Sequence, residues 1–382
     1  MDSVACAQVF TQTRQTLSRR LLGSTLAEAL TTPHGVDRYV ELVRPAFSLR
    51  EVRAEVVAVR RPTARSVTLA LRPNDNWQGF RAGQFVRLGI EIDGVRHTRT
   101  YSPASSAHVD DLLELTAHAQ PDGAVSPFLR ASARPGMVVS LSQAEGDFAL
   151  PDEREILAAG GELLLISGGS GITPVMSMLR TLCHEGHRGP IAFLHYARDE
   201  HDVAYARQLE ELAAGHANVR LLRGFSRRPD AGELHGRFGR KHVRAAGVDP
   251  TQALAFACGP TALVEAVRTT WAEDELDARL FVEQFAPPAP ARVETDGVVA
   301  GSVRFARSGR EAPSTGAPLL DQAEAAGLTP QSGCRMGICH TCTCRKLEGA
   351  VRDVRTGEIS TAPDELIQIC VNAPVGDVTL DI

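Results

Sequence analysis

Cys334, Cys339 and Cys342 stand in the stretch Ser332–Cys342 with the spacing C-x4-C-x2-C, and Cys370 follows at a distance. Three clustered thiolates and one remote partner form the ligand pattern of a plant-type [2Fe–2S] cluster. The loop must wrap closely around an inorganic core, and Gly333 and Gly337 permit the tight backbone this requires. Disulfides suit a small secreted chain, and structural zinc takes closely spaced ligand pairs, so both fit this spacing less well. Cys344 makes a local C-x-C with Cys342, and spacing alone does not exclude it as a replacement for Cys342. A cluster of this kind carries one electron at a time, which makes the chain an expected electron carrier and raises the question of the donor.

A donor site is legible upstream. The apolar run Leu163–Ser167 is followed by Gly168, Gly169, Ser170, Gly171, Ile172, Thr173 and Pro174, and then by a helical stretch. Glycines at the end of a strand let the backbone approach a pyrophosphate, and the helix N-terminus directs unpaired N–H groups at it. Pro174 stands where a third Gly or Ala is usual, and proline is tolerated in the first turn of a helix. Ala255–Pro260 ends another strand of the same sheet, so Cys258, Gly259 and Pro260 are expected to face the cofactor beyond the strand's carboxyl end. Arg198 follows the strand Ile191–Tyr196, and Ser226, Arg227 and Arg228 follow Val219–Arg223. Guanidinium groups match a phosphate dianion, which favours NADPH over NADH and leaves NADH open.

A nicotinamide gives up a hydride, whereas the cluster takes single electrons. A flavin reconciles the two. Arg99, Thr100, Tyr101 and Ser102 supply a cation for phosphate, an aromatic ring for the isoalloxazine and hydroxyls for ring nitrogens. Gly123 and Ser126 open a short helix, Pro127–Ala133, whose N-terminus can receive a second phosphate.

These residues need elements to hold them. At 382 residues the chain has room for two to three domains. Residues 1–48 read as a helical extension, with Leu17, Leu21, Leu22, Leu26 and Leu30 at helical spacing and Pro33 ending the run. Residues 49–150 carry short β segments, Arg53–Arg60, Ser66–Leu71, Phe85–Ile90, Leu112–Ala117 and Val138–Ser142, expected to form an antiparallel β-barrel that binds the flavin. Residues 151–286 alternate strands with helices such as Pro174–Glu185 and Val203–Ala214, the pattern of a parallel α/β nucleotide domain. Pro287–Pro290 begins a stiff linker over 287–294, and 295–382 form the cluster domain.

A net charge of −5 argues against nucleic-acid binding. No apolar run approaches the ~18 residues of a membrane span. No long apolar segment follows Arg19 and Arg20, and Cys6, Cys183 and Cys258 stand apart as free thiols. A cytoplasmic protein is expected, able to visit a membrane-bound partner. A redox-sensing role, with the cluster reporting rather than transmitting, is the competing class, and no recognisable DNA-binding or effector segment supports it.

Over residues 49–382 the chain resembles the ferredoxin–NADP reductase superfamily with a fused C-terminal plant-type ferredoxin domain. The resemblance rests on Gly83–Phe85, Arg99–Ser102, Gly123 and Ser126, Gly168–Pro174, Cys258–Pro260, Glu283–Phe285 and the four cysteines, all in the superfamily's order. It implies a β-barrel, an α/β domain and an α+β domain of the β-grasp type. It also implies that Arg99 and Ser126 bind flavin phosphates, Tyr101 packs on the isoalloxazine and Ser102 approaches its N5. Cys258 would flank the nicotinamide, Glu283 would lie near the site of hydride transfer, and His340 and Thr341 would face solvent or the acceptor. Arg99–Ser105 and the later Gly-x-x-Ser look more like the FAD-containing group than the FMN-containing dioxygenase reductases. The stretches Thr32–Pro45 and Trp77–Gln84 resemble reductases paired with bacterial acyl desaturases. The implied acceptor is an oxygenase or acyl desaturase, a di-iron enzyme that can be membrane-bound.

Overall fold

The computed structural model describes residues 40, 44–109, 111–120, 123–285, 301–333, 335, 337, 340–355 and 357–382. The expected extension, apart from residues 40 and 44–48, and the expected linker lie outside the described residues, as do Cys334 and Cys339.

The first sheet is antiparallel, ordered β4-β3-β6-β1-β2-β5. Its strands are β1 (Val52–Arg60), β2 (Ser66–Pro73), β3 (Val86–Ile92), β4 (Val95–Tyr101), β5 (Leu113–His118) and β6 (Val138–Leu141). Val52, Ala54 and Val56 of β1 alternate inward, as a strand with one buried face requires. They meet Leu69, Leu71, Leu88 and Leu115 in a core closed by Val125 and Leu129 of helix α1 (Val125–Ser132). β4 is absent from the expected strands. Its sequence, VRHTRTY, buries no residue fully, so apolar alternation does not reveal it. It is an edge strand held by β3, with Leu88 opposite Arg99 and Val86 opposite Tyr101.

The second sheet is parallel, ordered β11-β10-β7-β8-β9. It comprises β7 (Glu162–Gly168), β8 (Ile191–Ala197), β9 (Val219–Phe225), β10 (Ala253–Gly259) and β11 (Leu280–Gln284). All of β10, and all of β7 after Glu162, is buried, because helices cover both faces of such a sheet. These helices include α3 (Ile172–Glu185), α4 (Ala206–Gly215), α5 (Arg240–Ala246) and α6 (Thr261–Glu273); α2 (Glu153–Ala158), capped by Asp152, precedes β7. From β7 the chain runs outward through β8 and β9, then returns to place β10 on the other side. The carboxyl ends of β7 and β10 are therefore the topological switch point at which open α/β sheets bind ligands.

The C-terminal sheet runs β13-β12-β17-β14-β15, with β16 also paired to β14. Its strands are β12 (Ser302–Phe305), β13 (Arg310–Pro313), β14 (Thr343–Asp353), β15 (Ile359–Ser360), β16 (Glu365–Gln368) and β17 (Asn372–Leu380). β12 and β17 are parallel, and the remaining pairs are antiparallel. Helix α7 (Leu319–Ala325) buries Leu319, Leu320 and Ala323 against Val303, Phe305 and Leu380. An antiparallel barrel-type sheet, a parallel α/β sheet and a β-grasp α+β unit are thus all present.

The glycines between β7 and α3 have two different tasks. A Cβ on Gly171 would lie 2.2 Å from the Cys258 carbonyl oxygen, and one on Gly168 would lie 2.8 Å from Leu263 Cδ2. These two let the turn press against the end of β10. Gly169 has φ +54 and open space around its missing Cβ, so it serves the turn's left-handed conformation. Because backbone rather than a mobile side chain blocks position 171, Gly171→Ala is expected to destabilise the α/β lobe by about 1–3 kcal/mol. Comparing denaturant midpoints for the two proteins checks this; an unchanged midpoint contradicts the close-packing account.

Candidate active site

Two cavities open at the switch point. One, of about 250 Å³, is walled by Arg99, Thr100, Tyr101 and Ser102 from the end of β4, by Gly123 and Ser126 beside α1, and by Ser170, Thr173, Glu283 and Phe285 from the α/β lobe. The other, of about 780 Å³, is walled by Gly168, Gly169 and Pro260 on one side and by Arg198, Ser226 and Arg237 on the other. His118, at the end of β5, lines both. Arg99, Thr100, Tyr101, Ser102, Gly123 and Ser126, expected to serve a flavin, line the smaller space, and Gly168, Gly169, Pro260, Arg198 and Ser226, expected to serve a nucleotide, line the larger, whereas Ser170 and Thr173 face the smaller one.

The smaller cleft carries unpaired polar groups. Thr100 Oγ1, Ser102 Oγ and Glu283 Oε2 are buried and have no hydrogen-bond partner among the described residues. Buried polar atoms are normally satisfied, so three orphans around one cleft fit a bound group with polar edges. The Arg99 guanidinium donates to the Thr98 carbonyl oxygen at 2.7 Å and makes no ion pair among the described residues, leaving donors for an anion. Ser126 is buried, and its Oγ accepts from the Gln120 backbone N–H at 3.1 Å, which ties the turn before α1 to the helix. Burial pushes the Tyr101 phenol up to about 12, against the opposing pull of Arg99, so it stays neutral. These residues fit a flavin with a phosphate tail.

Glu283 sits on β11 opposite Cys258 of β10. Burial raises its carboxyl to about 8, so it holds a proton at neutral pH. Cys258 is fully buried, and burial first, then Glu283, raises its thiol well above the ordinary value. Cys258 lines neither cavity, nor do Gly171, Pro174, Gly259 and Arg227. Gly171, Pro174 and Cys258 instead pack behind the cavity walls. Pro174 is the third residue of α3, within the first turn where its missing donor is tolerated.

In the larger cavity, Arg198 pairs with Asp202 at 2.8 Å; outside it, Arg227 lies 3.7 Å from Asp199. Arg228 is engaged by Glu200 at 2.9 Å. Arg237 was not among the residues expected from sequence. It lines the cavity and has no ion pair among the described residues. Its position is set by two buried neighbours, Leu234 and Phe238. The turn is tied further by His242 Nε2, 3.1 Å from the His235 carbonyl, and by His235 Nδ1, 2.8 Å from the Pro229 carbonyl. No local sequence signal marks Arg237, because the tertiary contacts of Phe238 place it. His118 was also missed; its imidazole is held below its ordinary value, chiefly by burial. Phe285 was legible only as part of the Glu283–Phe285 motif.

Cys342 and Cys370 are buried together in the C-terminal core. Cys344 is half-buried on β14, with its Sγ 3.5 Å from the Arg345 carbonyl oxygen and its charged neighbours Arg307 and Asp381. Arg335 of the cysteine loop neighbours Cys370 instead. Cys344 packs at the edge of the same core in which Cys342 and Cys370 are buried, and is less buried than either. His340 is exposed, has φ +52, and its Nδ1 lies 2.6 Å from Gln368 Nε2. Gly337 also adopts the left-handed conformation, with φ +73. With Cys334 and Cys339 outside the described residues, no complete metal-ligand group occurs among the described ones.

Comparison with known proteins agrees with this division. Residues 57–150 match an oxidoreductase FAD-binding domain, 165–269 an oxidoreductase NAD-binding domain, and 303–371 a 2Fe-2S iron-sulfur cluster binding domain. An NADPH oxidoreductase of Mycobacterium tuberculosis is 36% identical over 94% of this chain and 91% of its own length. The glycine betaine monooxygenase reductase subunit of Chromohalobacter salexigens is 29% identical over 79% of this chain and 87% of its own. The 3-ketosteroid-9-alpha-monooxygenase ferredoxin reductase component of M. tuberculosis is 30% identical over 78% and 84%. The fold of phthalate dioxygenase reductase superposes with a TM-score of 0.59 at 20% identity, covering 87% of this chain and 98% of that one. FAD, a pyridine nucleotide and a [2Fe–2S] cluster are the groups these domains bind. Among the described residues no helix is long and apolar enough to cross a membrane.

The raised carboxyl of Glu283 has a measurable consequence. Between the unfolded value near 4.5 and about 8, the unfolded chain releases its proton and the folded chain keeps it. The flavin-free protein should therefore lose stability as pH rises through that window, by at most about 1.4 kcal/mol per pH unit. Glu283→Gln should remove this component. Denaturant midpoints from tryptophan fluorescence across the window check it, and equal slopes for both proteins contradict it.

Proposed function

Because the chain belongs to the ferredoxin–NADP reductase superfamily, in the branch with a fused C-terminal [2Fe–2S] ferredoxin domain, we propose that it takes electrons from NADPH and delivers them to an oxygenase. It is an NAD(P)H-dependent electron-transfer oxidoreductase. The observation that carries the reading is the junction of the two cavities at His118, which lets a nucleotide in one reach a flavin in the other. A bound flavin supplies the conversion of a hydride into two single electrons, which the cluster needs.

The chain's own residues have the following parts in this proposal. Arg99 and Ser126 hold the flavin phosphates, and Tyr101 and Phe285 bound the space for the ring. The unpaired hydroxyls of Thr100 and Ser102 meet polar atoms of that ring. Glu283, protonated in the cleft wall, would be the side chain able to give a proton to the reduced flavin. Gly168 and Gly169, which line the larger cavity at the entry to α3, receive the nucleotide pyrophosphate, while Ser170 stands on the flavin side of the turn. Cys258 shapes the cleft from behind by packing against Glu283 and Gly171. Cys334, Cys339, Cys342 and Cys370 hold the cluster, the exit for electrons.

For the 2′-phosphate, Arg198 and Ser226 line the cavity, but Arg198 is shared with Asp202. Arg237, with no ion pair among the described residues, is the stronger candidate. The names of the glycine betaine and 3-ketosteroid relatives favour an oxygenase as acceptor. An acyl desaturase is the second reading, favoured by the stretches Thr32–Pro45, outside the described residues but for Val40, Arg44 and Pro45, and Trp77–Gln84.

Anaerobic addition of NADPH to the full chain should bleach the flavin and then produce the reduced-cluster resonance. Protein that reduces ferricyanide but never its own cluster would sink the pathway. Arg237→Ala should raise KM for NADPH about tenfold, the loss of one charge-assisted contact, and change KM for NADH less than twofold. Equal effects on the two nucleotides remove Arg237 from the 2′-phosphate site.

A further inference from the structure

The flavin-side and nucleotide-side sheets are joined along one seam, and its polar half uses residues that the reaction itself leaves unemployed. Helix α3 starts at the nucleotide loop and then runs against the loop that follows β4. Ser177 Oγ donates to the Ser105 carbonyl oxygen at 2.7 Å, and the Ala107 backbone N–H donates to Thr181 Oγ1 at 3.0 Å. Arg180 Nη1 donates to the Ala104 carbonyl oxygen at 2.6 Å and to Glu114 Oε1 at 2.9 Å. Glu114, on β5, is also paired with Arg60 of β1. The Arg180 guanidinium stands 5.1 Å from the centre of the Tyr205 ring.

Tyr205 precedes α4, is 1% exposed, and makes a hydroxyl–hydroxyl hydrogen bond with Thr116 of β5. Thr116 Oγ1 is also 2.7 Å from Thr68 Oγ1 of β2. Thr116 lines the flavin cleft, and Arg198 and Asp202, in the segment leading to Tyr205, line the nucleotide cavity. One short segment therefore lines the larger cavity at one end and, through Tyr205, holds the wall of the smaller cleft at the other. Tyr205 has its hydroxyl satisfied across the seam and its ring covered by a cation, so it has one well-defined position.

We propose that Tyr205, held by Thr116, Arg180 and Glu114, is a positioning residue that sets the distance between nicotinamide and flavin. The proposal rests on the reading of the two cavities as flavin and nucleotide sites. Hydride transfer is steep in distance: a misplacement of about 1 Å far from the reacting atoms can cost about 10²-fold. Loosening the seam should therefore slow the chemical step while both ligands stay bound.

The test uses the flavin-loaded full chain. Tyr205→Phe removes one hydroxyl and keeps the ring under Arg180. It should lower the stopped-flow rate constant for flavin reduction by NADPH about tenfold. FAD content and the Kd for NADP+ should stay within about twofold of the parent. The visible difference spectrum that NADP+ induces in the flavin should shrink, a signature of proximity that does not depend on turnover. Arg180→Met keeps an unbranched stem but removes the cation over the Tyr205 ring and both hydrogen bonds, to Ala104 and to Glu114, and should give the same pattern; it carries the test should Tyr205→Phe fail to fold. Parental rates and spectra in the folded variants overturn the proposal. So does a loss confined to FAD content or Kd, which marks a merely structural role. If NADPH and NADH both fail to reduce the parent protein's flavin, the functional reading itself fails, a result separate from the failure of the seam alone.

Discussion

The turn from β7 into α3 presses directly on the end of β10, and both cavities depend on that contact. The Gly171 backbone lies so close to the Cys258 carbonyl that no side chain fits between them. This approach puts the carboxyl ends of β7 and β10 side by side at the switch point. It also sets the direction in which α3 leaves the sheet, and α3 is the helix on which the flavin-side sheet rests. An added methyl group at this turn would shift the nucleotide loop, the helix and the inter-sheet seam together. Protein interiors transmit such strain because they are close-packed.

The seam has two chemically distinct halves. Ala82, Ala104, Phe148 and Leu150 enter the same apolar cluster as Met178, Leu179 and Phe256. A Cβ on Gly83 would lie 2.5 Å from Met178 Cε. The other half is the polar set around Glu114, Arg180 and Tyr205. Apolar contact supplies adhesion without direction, whereas hydrogen bonds and the cation over the ring specify angle. A reductase that must bring two planar groups face to face needs both.

Stability is surrendered at the cleft itself. Thr100 Oγ1, Ser102 Oγ and Glu283 Oε2 are buried without hydrogen-bond partners among the described residues, each of which costs free energy until a ligand supplies the missing bonds. The same burial holds the Glu283 proton through neutral pH.

Much of the molecule was legible in its amino acids. The buried strands β7 and β10 read as unbroken apolar runs, and the Gly168–Pro174 loop and the cysteine spacing state their chemistry through residue type and interval, because a close backbone turn or a four-thiolate cage demands them. Edge strand β4 was not legible, since it buries no face completely. Nor were the parts of Arg237, His118 and Tyr205. An arginine in this arginine-rich chain has no distinguishing local signal, and whether it is neutralised depends on carboxylates such as Asp199 and Glu200, which only folding brings near Arg227 and Arg228. The sequence by itself determined the three classes of cofactor site and their order along the chain, because those depend on short-range spacing. The tertiary structure alone decided which guanidinium is free, which carboxyl keeps its proton and how the two cavities meet, because burial and charge pairing arise only when distant segments pack.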